Sequence, residues 1–214
     1  RGGGGMTEAA RLKARLVAAL DPAAEAGAAV AARSDFDLNP GAERPARELR
    51  PAAVLIAVLM RPSHPTVLLT RRSEQLRAHQ GQVSFPGGRR DEGDTSLAHT
   101  ALREAEEEVG LLPQGVEVLG YLDDYPTLSR FRVTPVVGVV EQPPAQWRPA
   151  PEEVAEVFEL PLSIALDPCA YRQQTLLREG IRLPFYELQH GPHRIWGATA
   201  GMLRQLALRV RGDG

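Results

Sequence analysis

The chain has 214 residues, of which 43% are hydrophobic, 24% are charged and 5% are aromatic. This length suits one domain with an extension and allows a sizeable buried core. The 25 Lys and Arg residues nearly balance 27 Asp and Glu residues, whereas proteins that bind nucleic acid usually carry a basic excess. The single cysteine, Cys169, excludes an internal disulfide framework and a cysteine zinc cluster.

The amino-terminal region reads as an extension of the main domain. Residues 1–5 precede the first methionine and are interpreted as a remnant of an expression tag. Thr7 is a suitable N-cap for a helix in which Leu12 and Leu16 recur at helical spacing. The segment that follows, up to Arg50, is rich in Ala, Pro and Gly and predicts a linker. Since no secretory signal or bilayer-length apolar run is found, we expect a cytoplasmic protein without a membrane partner.

After this extension, strand and helix patterns follow one another in an irregular order. The continuous apolar run from Ala52 to Met60 predicts a strand that is buried on both faces. Further strands are predicted at 66–70, 82–85, 116–122, 130–140 and 185–188, with a break at 86–88, and helices are predicted at 96–109, 160–166 and 197–210. The mixed order predicts an α+β fold with a main domain over 51–211 and an extension over 1–50.

The helix predicted at 96–109 has one acidic edge. Leu97, Ala98, Ala101, Leu102, Ala105 and Val109 share one apolar arc on a helical wheel. Glu104 and Glu108 lie together at the edge of that arc, with Glu107 beside them. Gly110 follows the helix at the position where a left-handed cap is needed.

Two interpretations of the acidic edge are open. Exposed like charges four residues apart cost only about 0.2–0.5 kcal/mol, so a solvated acidic face is the simpler one. At the edge of a core, two carboxylates about 6 Å apart repel by about 3 kcal/mol, and a divalent cation would remove that cost. Oxygen ligands favour Mg²⁺ or Mn²⁺. Gly87 and Gly88 lack side chains, which would let a backbone carbonyl approach such an ion.

The glycine turn and the helix together resemble the Nudix box, a glycine followed by an acidic residue and then by Arg-Glu-x-x-Glu-Glu-x-Gly. The matching residues are Gly88, Asp94, Arg103, Glu104, Glu107, Glu108 and Gly110. Asp94 stands where glutamate is usual, and eight residues rather than seven separate it from Arg103. Both departures are typical of one branch of the family, the coenzyme A diphosphatases.

A second stretch resembles the same branch more specifically. The branch pattern is Leu-Leu-Thr-x-Arg-Ser-x-x-Leu-Arg-x-His-x-Gly-Gln-Val-x-Phe-Pro-Gly-Gly, and the residues from Leu68 to Gly88 match it at every fixed position. The resemblance covers about residues 50 to 210. It implies a Nudix fold, with a mixed β-sheet between helices in α/β/α layers.

The resemblance also implies an activity and a set of site residues. The activity is metal-dependent hydrolysis of the diphosphate of coenzyme A or its derivatives, which yields 4′-phosphopantetheine and adenosine 3′,5′-bisphosphate. The implied ligands of Mg²⁺ or Mn²⁺ are Glu104, Glu108, Glu107 and the carbonyl of Gly88. Glu107 is a ligand or a base, and Glu153, followed by Glu152, is the candidate general base on a later acidic turn. Arg103 precedes Glu107 by one helical turn and can hold it in place.

Five arginines fall within twenty residues of sequence, an unusual concentration in a slightly acidic protein: Arg71, Arg72, Arg77, Arg89 and Arg90. Because a guanidinium binds phosphate oxygens at two points, we predict that Arg71, Arg72, Arg77 and Arg89 bind the substrate together with His79. Each arginine has the alternative role of a surface charge or a brace for a glutamate. His79 has the alternatives of proton donor and loop cap.

Three rival functions are weighed against this one. A Nudix enzyme for another substrate, such as ADP-ribose, would share the box but not the stretch from Leu68 to Gly88. A non-catalytic Nudix module that binds nucleotides usually loses box glutamates, and all three are kept here. A purely structural acidic helix does not account for the arginine-rich glycine loop. The sequence leaves the oligomeric state open, a homodimer included.

Overall fold

The computed structural model describes residues 6–22, 49–75, 80–127, 129–178 and 181–212. Within these ranges the chain forms four α-helices, α1 Glu8–Ala18, α2 Leu97–Val109, α3 Leu162–Ala165 and α4 Ala198–Arg211. The strands in the same ranges are β1 Arg50–Leu59, β2 Thr66–Arg72, β3 Val83–Ser84, β4 Gly87–Arg89, β5 Glu117–Tyr121, β6 Tyr125–Pro126, β7 Phe131–Val140, β8 Val154–Pro161, β9 Arg172–Arg178, β10 Ile181–His190 and β11 His193–Trp196.

The main sheet is mixed and has β1 near its centre. Its strand order is β3-β2-β1-β7-β5, with β4 also paired to β1, β6 to β7 and β8 to β2. β1 runs parallel to β7 and antiparallel to β2 and β4. Leu55 and Leu59 of β1 face one apolar cluster, whereas Ile56 and Val58 face the other. The prediction of a strand buried on both faces is therefore confirmed.

Helices cover both faces of this sheet. The apolar side of α2 packs against the cluster that contains Leu55, and α4 packs on the opposite face. A second sheet, of order β11-β10-β9, lies next to α4. The α+β fold with helix, sheet and helix layers is as predicted.

Helix α2 is defined by its sequence at both ends. The Ser96 side chain accepts a hydrogen bond from the backbone N–H of His99 at 3.0 Å. Gly110 adopts a left-handed conformation with φ of 72°, which a glycine allows at little cost. Of the predicted apolar arc, Leu97, Ala101, Ala105 and Val109 are buried, and Ala98 and Leu102 are half-buried.

Helix α1 packs on the main domain. The Thr7 hydroxyl accepts from the backbone N–H of Ala10 at 3.2 Å, as the capping prediction requires. Leu16 is fully buried in the cluster that includes α4. After the helix, Asp21 forms an antiparallel bridge with Tyr121 of β5. The linker predicted after this point falls mostly outside the described residues.

Several strands differ from the sequence predictions. The predicted helix at 160–166 is shorter, because Leu160 and Pro161 end β8, a strand that the sequence analysis missed. β9 and β11 were also missed. The predicted break at Gly87 and Gly88 is partly wrong, because these glycines form β4 against Ala53 and Val54. β10 extends the predicted strand at 185–188 at both ends.

Candidate active site

The three glutamates of α2 differ in exposure. The side chain of Glu104 is 15% exposed, and Glu108 is buried, with 3% of its surface exposed. The Glu107 side chain is 58% exposed and lies on the solvent side of the helix edge. Glu104 and Glu108 therefore face the body of the protein, and Glu107 lies beside them at the surface.

The glycine pair before α2 lies in close contact with its neighbours. Gly88 pairs with Ala53 across β1 and β4, and a Cβ atom at Gly88 would overlap the carboxylate of Glu104. A Cβ atom at Gly87 would lie 2.5 Å from the carbonyl oxygen of Ala53. The backbone of β4 is thus held directly against the acidic edge of α2.

The carboxylates at this edge are electrostatically strained. Burial raises the pKa of Glu108 to about 8, and the negative charges of Glu104 and Glu153 contribute to the increase. Burial likewise raises the pKa of Glu104 above its usual value, and the charges of Glu107 and Glu153 add to it. The guanidinium of Arg72 acts in the opposite direction on Glu108. The site thus gathers negative charge that nearby cations balance only in part.

Backbone hydrogen bonds bring Glu153 to this position. The backbone N–H of Ala150 donates to the carbonyl of Glu108 at 2.9 Å, and that of Arg148 donates to Val109 at 3.1 Å. The Glu153 carbonyl accepts from the backbone N–H of Ser73, just after β2, at 2.8 Å. The acidic turn is therefore fixed between the last turn of α2 and the end of β2.

Arg103 connects the acidic edge to the loop before the helix. Its Nε and Nη2 atoms donate to the two carboxylate oxygens of Asp94, each at 3.0 Å. Its Nη1 atom donates to Glu104 at 3.0 Å and to Glu107 at 3.1 Å, and Nη2 also donates to the carbonyl of Arg89 at 3.3 Å. The brace that we predicted for Glu107 therefore extends to Glu104 and Asp94.

The structure separates the predicted substrate-binding arginines. Arg72 lies on the α2 side of the sheet, near Glu108. Arg71 lies on the other side, where its Nε atom donates to Glu156 at 3.1 Å. Arg89 is exposed at the end of β4. Arg77 and His79 lie outside the described residues.

The NUDIX domain family matches residues 49–179 of the chain. A relative from Pectobacterium atrosepticum, named "Uncharacterized Nudix hydrolase NudL", is 44% identical over 171 residues, which cover 80% of this chain and 88% of that protein. Its namesake from Salmonella paratyphi B is 47% identical over 165 residues, with 75% and 83% covered. The chain belongs to the Nudix hydrolase family.

The MutT/nudix family protein from Enterococcus faecalis is similar, with a TM-score of 0.47 and 16% identity over 83% of this chain and 73% of that one.

The donor set of this Nudix domain suits a hard divalent cation. In the described part of the chain, no preformed group of three or more His, Cys, Asp or Glu side chains surrounds a metal position. Mg²⁺ needs no such cage, since one or two carboxylates, waters and substrate phosphates complete its shell. Glu104 and Glu108 fit this requirement, and the side-chain-free backbone at Gly88 allows a carbonyl close by.

Two functional contacts were missed by sequence reasoning. Asp94 was named as the acidic residue of the box, with aspartate in place of glutamate, but its contact was not predicted: it is the buried partner of Arg103. Asp94 lies nine positions before Arg103 in the sequence, and this spacing is the sequence signal that could have predicted the contact. The role of Ala150 in docking the acidic turn leaves no mark in the sequence, because a backbone N–H makes the contact.

The structure also has a cleft apart from the acidic edge. An open cleft of about 430 Å³ lies between α1 and α4 and is lined by Asp21, Asp123, Gln205 and Arg209, among others.

In the ranges that the structure describes, no helix is both long and apolar enough to cross a membrane.

Proposed function

We propose that the protein hydrolyses the diphosphate bond of coenzyme A or its derivatives to adenosine 3′,5′-bisphosphate and 4′-phosphopantetheine. One observation carries the hydrolytic part of this proposal. Burial and the charges of neighbouring carboxylates raise the pKa values of Glu104 and Glu108, next to a glycine whose backbone lies in close contact with the Glu104 carboxylate. Such an arrangement is costly to the fold and is typical of a site that binds a cation.

The metal is the first component of the proposed reaction. Bound Mg²⁺ or Mn²⁺ supplies charge neutralisation for the diphosphate and acidifies a water molecule. Glu104 and Glu108 would hold it, with Glu107 as an outer ligand and the Gly88 carbonyl as a further oxygen donor. Their oxygen atoms match the preference of both ions.

The residues around the acidic edge have distinct proposed roles. Glu153 is exposed and close enough to Glu104 and Glu108 to affect their pKa values, which suits a base that takes a proton from the attacking water. Arg103 orients Glu104 and Glu107 through direct hydrogen bonds. Arg72, on the same side of the sheet, supplies positive charge for the diphosphate.

The choice of coenzyme A rests on the sequence from Leu68 to Gly88, which matches the pattern of the coenzyme A branch. The large negative charge of the substrate agrees with the arginines of β2 and β4, of which Arg71 and Arg72 are half-buried and Arg89 is exposed. The Nε atom of Arg71 forms an ion pair with Glu156. Arg71 would therefore bind the substrate through its two terminal nitrogens, Nη1 and Nη2. Arg89 projects from the strand that carries Gly88.

A product assay tests the proposal. Purified protein is incubated with coenzyme A, ADP-ribose and a dinucleoside polyphosphate, each with Mg²⁺ and with Mn²⁺, and the products are separated by chromatography. We expect both products of coenzyme A to appear in equal amounts and faster than any product of the other compounds. Cleavage of ADP-ribose without cleavage of coenzyme A would refute the substrate and leave the family intact.

A further inference from the structure

The outermost strand of the second sheet, β9, has one edge without a neighbouring strand. The sheet has the order β11-β10-β9, so within the described part of the chain β9 pairs with β10 on its inner side alone. The seven residue pairs between these two strands follow one another without a shift of register. The outer edge of β9 therefore presents a regular row of backbone N–H and C=O groups.

Other strands at the edges of the two sheets carry features that prevent further pairing, whereas β9 does not. β8 contains Glu156 and Glu159 and ends at Pro161, β5 has a register shift against β7, and β11 has four residues. Charges, proline, bulges and short length are the usual means of protecting a sheet edge. In β9, the five residues from Gln173 to Leu177 are uncharged and none of the strand is proline.

Both faces of β9 are open as well. Residues 172–177 are all exposed. Leu176 and Leu177 lie on opposite faces of the strand, and they are 45% and 68% exposed. Strands of antiparallel sheets commonly pack one face against a core, but neither leucine is part of the two apolar clusters of the described residues. Adjacent exposed leucines on an open strand are typical of a surface that another molecule covers.

The edge and the charges of β9 indicate what covers it. A row of backbone donors and acceptors is matched by another β-strand, and the uncharged middle of β9 suits a strand that is uncharged at the same place. β9 itself meets both conditions. We propose that β9 pairs antiparallel with β9 of a second copy of this chain, which joins two three-stranded sheets into one sheet of six strands.

The charges also select the register of this pair. In a two-fold symmetric antiparallel pair, the residue on the axis faces its own copy. A pair centred on Thr175 would place Arg172 opposite Arg178 of the partner subunit, and like charges directly opposite each other are destabilising. A pair centred on Leu176 removes this opposition and sets Leu176 against Leu176 of the partner subunit. The register centred on Leu176 is therefore the one we expect.

This register also creates a continuous apolar row. Leu176 pairs with Leu183 of β10, which is half-buried, and paired residues project to the same face of a sheet. The two leucines and their copies would thus lie side by side across the joined sheet. Because one seven-residue edge is a small interface, we expect a dissociation constant of about 1–100 µM. The inference goes beyond the proposed function and does not depend on it.

The mass of the full-length protein in solution tests the proposal. In sedimentation velocity between about 1 and 500 µM, we expect the mass to rise from that of one chain to that of two. Leu176→Arg places two positive charges opposite each other on the axis and should raise the dissociation constant about 100-fold. Leu112→Arg, at a leucine that is 50% exposed elsewhere on the surface, is the matched control and should dimerise as the wild type does. Glu108→Gln should also dimerise normally, whatever its effect on hydrolysis.

Disulfide formation tests the register. Cys169 is exposed, so the variants are made in a Cys169→Ser background. Leu176→Cys should form a covalent dimer on mild oxidation, because the Cα atoms of directly opposed residues lie about 4.5–5.5 Å apart, within the span of a disulfide. Leu177→Cys should form little, because its copy is a diagonal neighbour about 7–8 Å away.

Three results would overturn the inference. A mass of one chain over the whole concentration range would leave the edge of β9 to a strand of a different protein. A dimer that Leu176→Arg does not weaken would be formed by another surface. Equal cross-linking of Leu176→Cys and Leu177→Cys would contradict the pairing of β9 with its own copy about Leu176.

Discussion

Arg103 and Asp94 form a two-point ion pair beside α2, with both donor–acceptor distances at 3.0 Å. The Asp94 side chain is 2% exposed, and it also accepts from the Thr100 hydroxyl at 2.9 Å. The hydrogen bonds from Arg103 hold the pKa of the Asp94 carboxyl well below its usual range. Since the same guanidinium contacts Glu104 and Glu107, the placement of the acidic edge depends on a residue in the preceding loop.

Loss of this ion pair should destabilise the protein. For Asp94→Asn we expect the free energy of unfolding at pH 7 to fall by about 3 kcal/mol, because a partly buried guanidinium loses its partner. Urea denaturation measures the change. Asp91→Asn is the matched control: Asp91 is 3.7 Å from Arg103 with a side chain 59% exposed, so its loss should cost less than about 1 kcal/mol.

The pH dependence of the same pair has a defined sign. A carboxyl with a lowered pKa in the folded state stabilises the protein above its unfolded pKa, and this contribution is lost as the pH falls through the folded value. The difference between wild type and Asp94→Asn should therefore shrink as the pH decreases below about 4. A difference that stays constant down to pH 2 would contradict the assignment of this ion pair.

Glu108 should show the opposite pH dependence. Its folded pKa of about 8 lies above the usual value for a carboxyl group, so the folded state binds more protons between about pH 5 and pH 8. Without metal, wild-type stability should decrease as the pH rises through this window. Glu108→Gln removes the ionisation, and we expect its Tm to exceed that of the wild type by about 3–10 °C at pH 8 and to match it at pH 5.

Thermal unfolding in the presence of a chelator checks this expectation. Added Mn²⁺ should stabilise the wild type at pH 8, because it would bind the Glu108 carboxylate and displace its proton. It should have little effect on Glu108→Gln, which lacks this carboxylate. A Tm for Glu108→Gln below the wild-type value at pH 8 would mean that Glu108 is a structural acid whose charge is already balanced.

Gly88→Ala tests the close contact between β4 and α2. The new Cβ would displace the Glu104 carboxylate, so we expect kcat to fall about 100-fold while the Tm changes by only a few degrees. Gly93→Ala in the same loop is the control, because a Cβ there meets no atom within 4 Å. Full activity of Gly88→Ala would show that Glu104 does not need its observed position.

The amino-terminal helix is expected to unfold together with the main domain. Leu16 is fully buried, whereas the neighbouring Val17 is 47% exposed. Leu16→Ala should therefore lower the free energy of unfolding by about 2–4 kcal/mol, and Val17→Ala by less than about 1 kcal/mol. Denaturant titration gives both values. Equal effects would mean that α1 contributes little to the stability of the core.

Local signals account for the elements that the sequence predicted well. Ser96 and Gly110 define the ends of α2, and the apolar run in β1 fixes a strand with two buried faces. Each of these features depends on residues that are close in sequence. The acidic edge follows for the same reason, since helical periodicity alone brings Glu104 and Glu108 together.

Long-range pairing accounts for the elements that were missed. β8 carries Glu156 and Glu159, which a strand tolerates here because Arg71 and Arg61 on other segments bind them. β9 has no buried side chain among those described, so its apolar signal is weak. The opposite orientations of Arg71 and Arg72 follow from strand alternation, and this signal was present in the sequence.

The central claim is that the buried carboxylates of α2 form the reaction centre. The most direct measurement is the rate of coenzyme A hydrolysis at saturating Mn²⁺ for the wild type, Glu108→Gln and Glu106→Gln, a control on the exposed side of the same helix. We predict a loss of at least 100-fold for Glu108→Gln, in a folded protein, and wild-type activity for Glu106→Gln. Full activity of Glu108→Gln would contradict the claim.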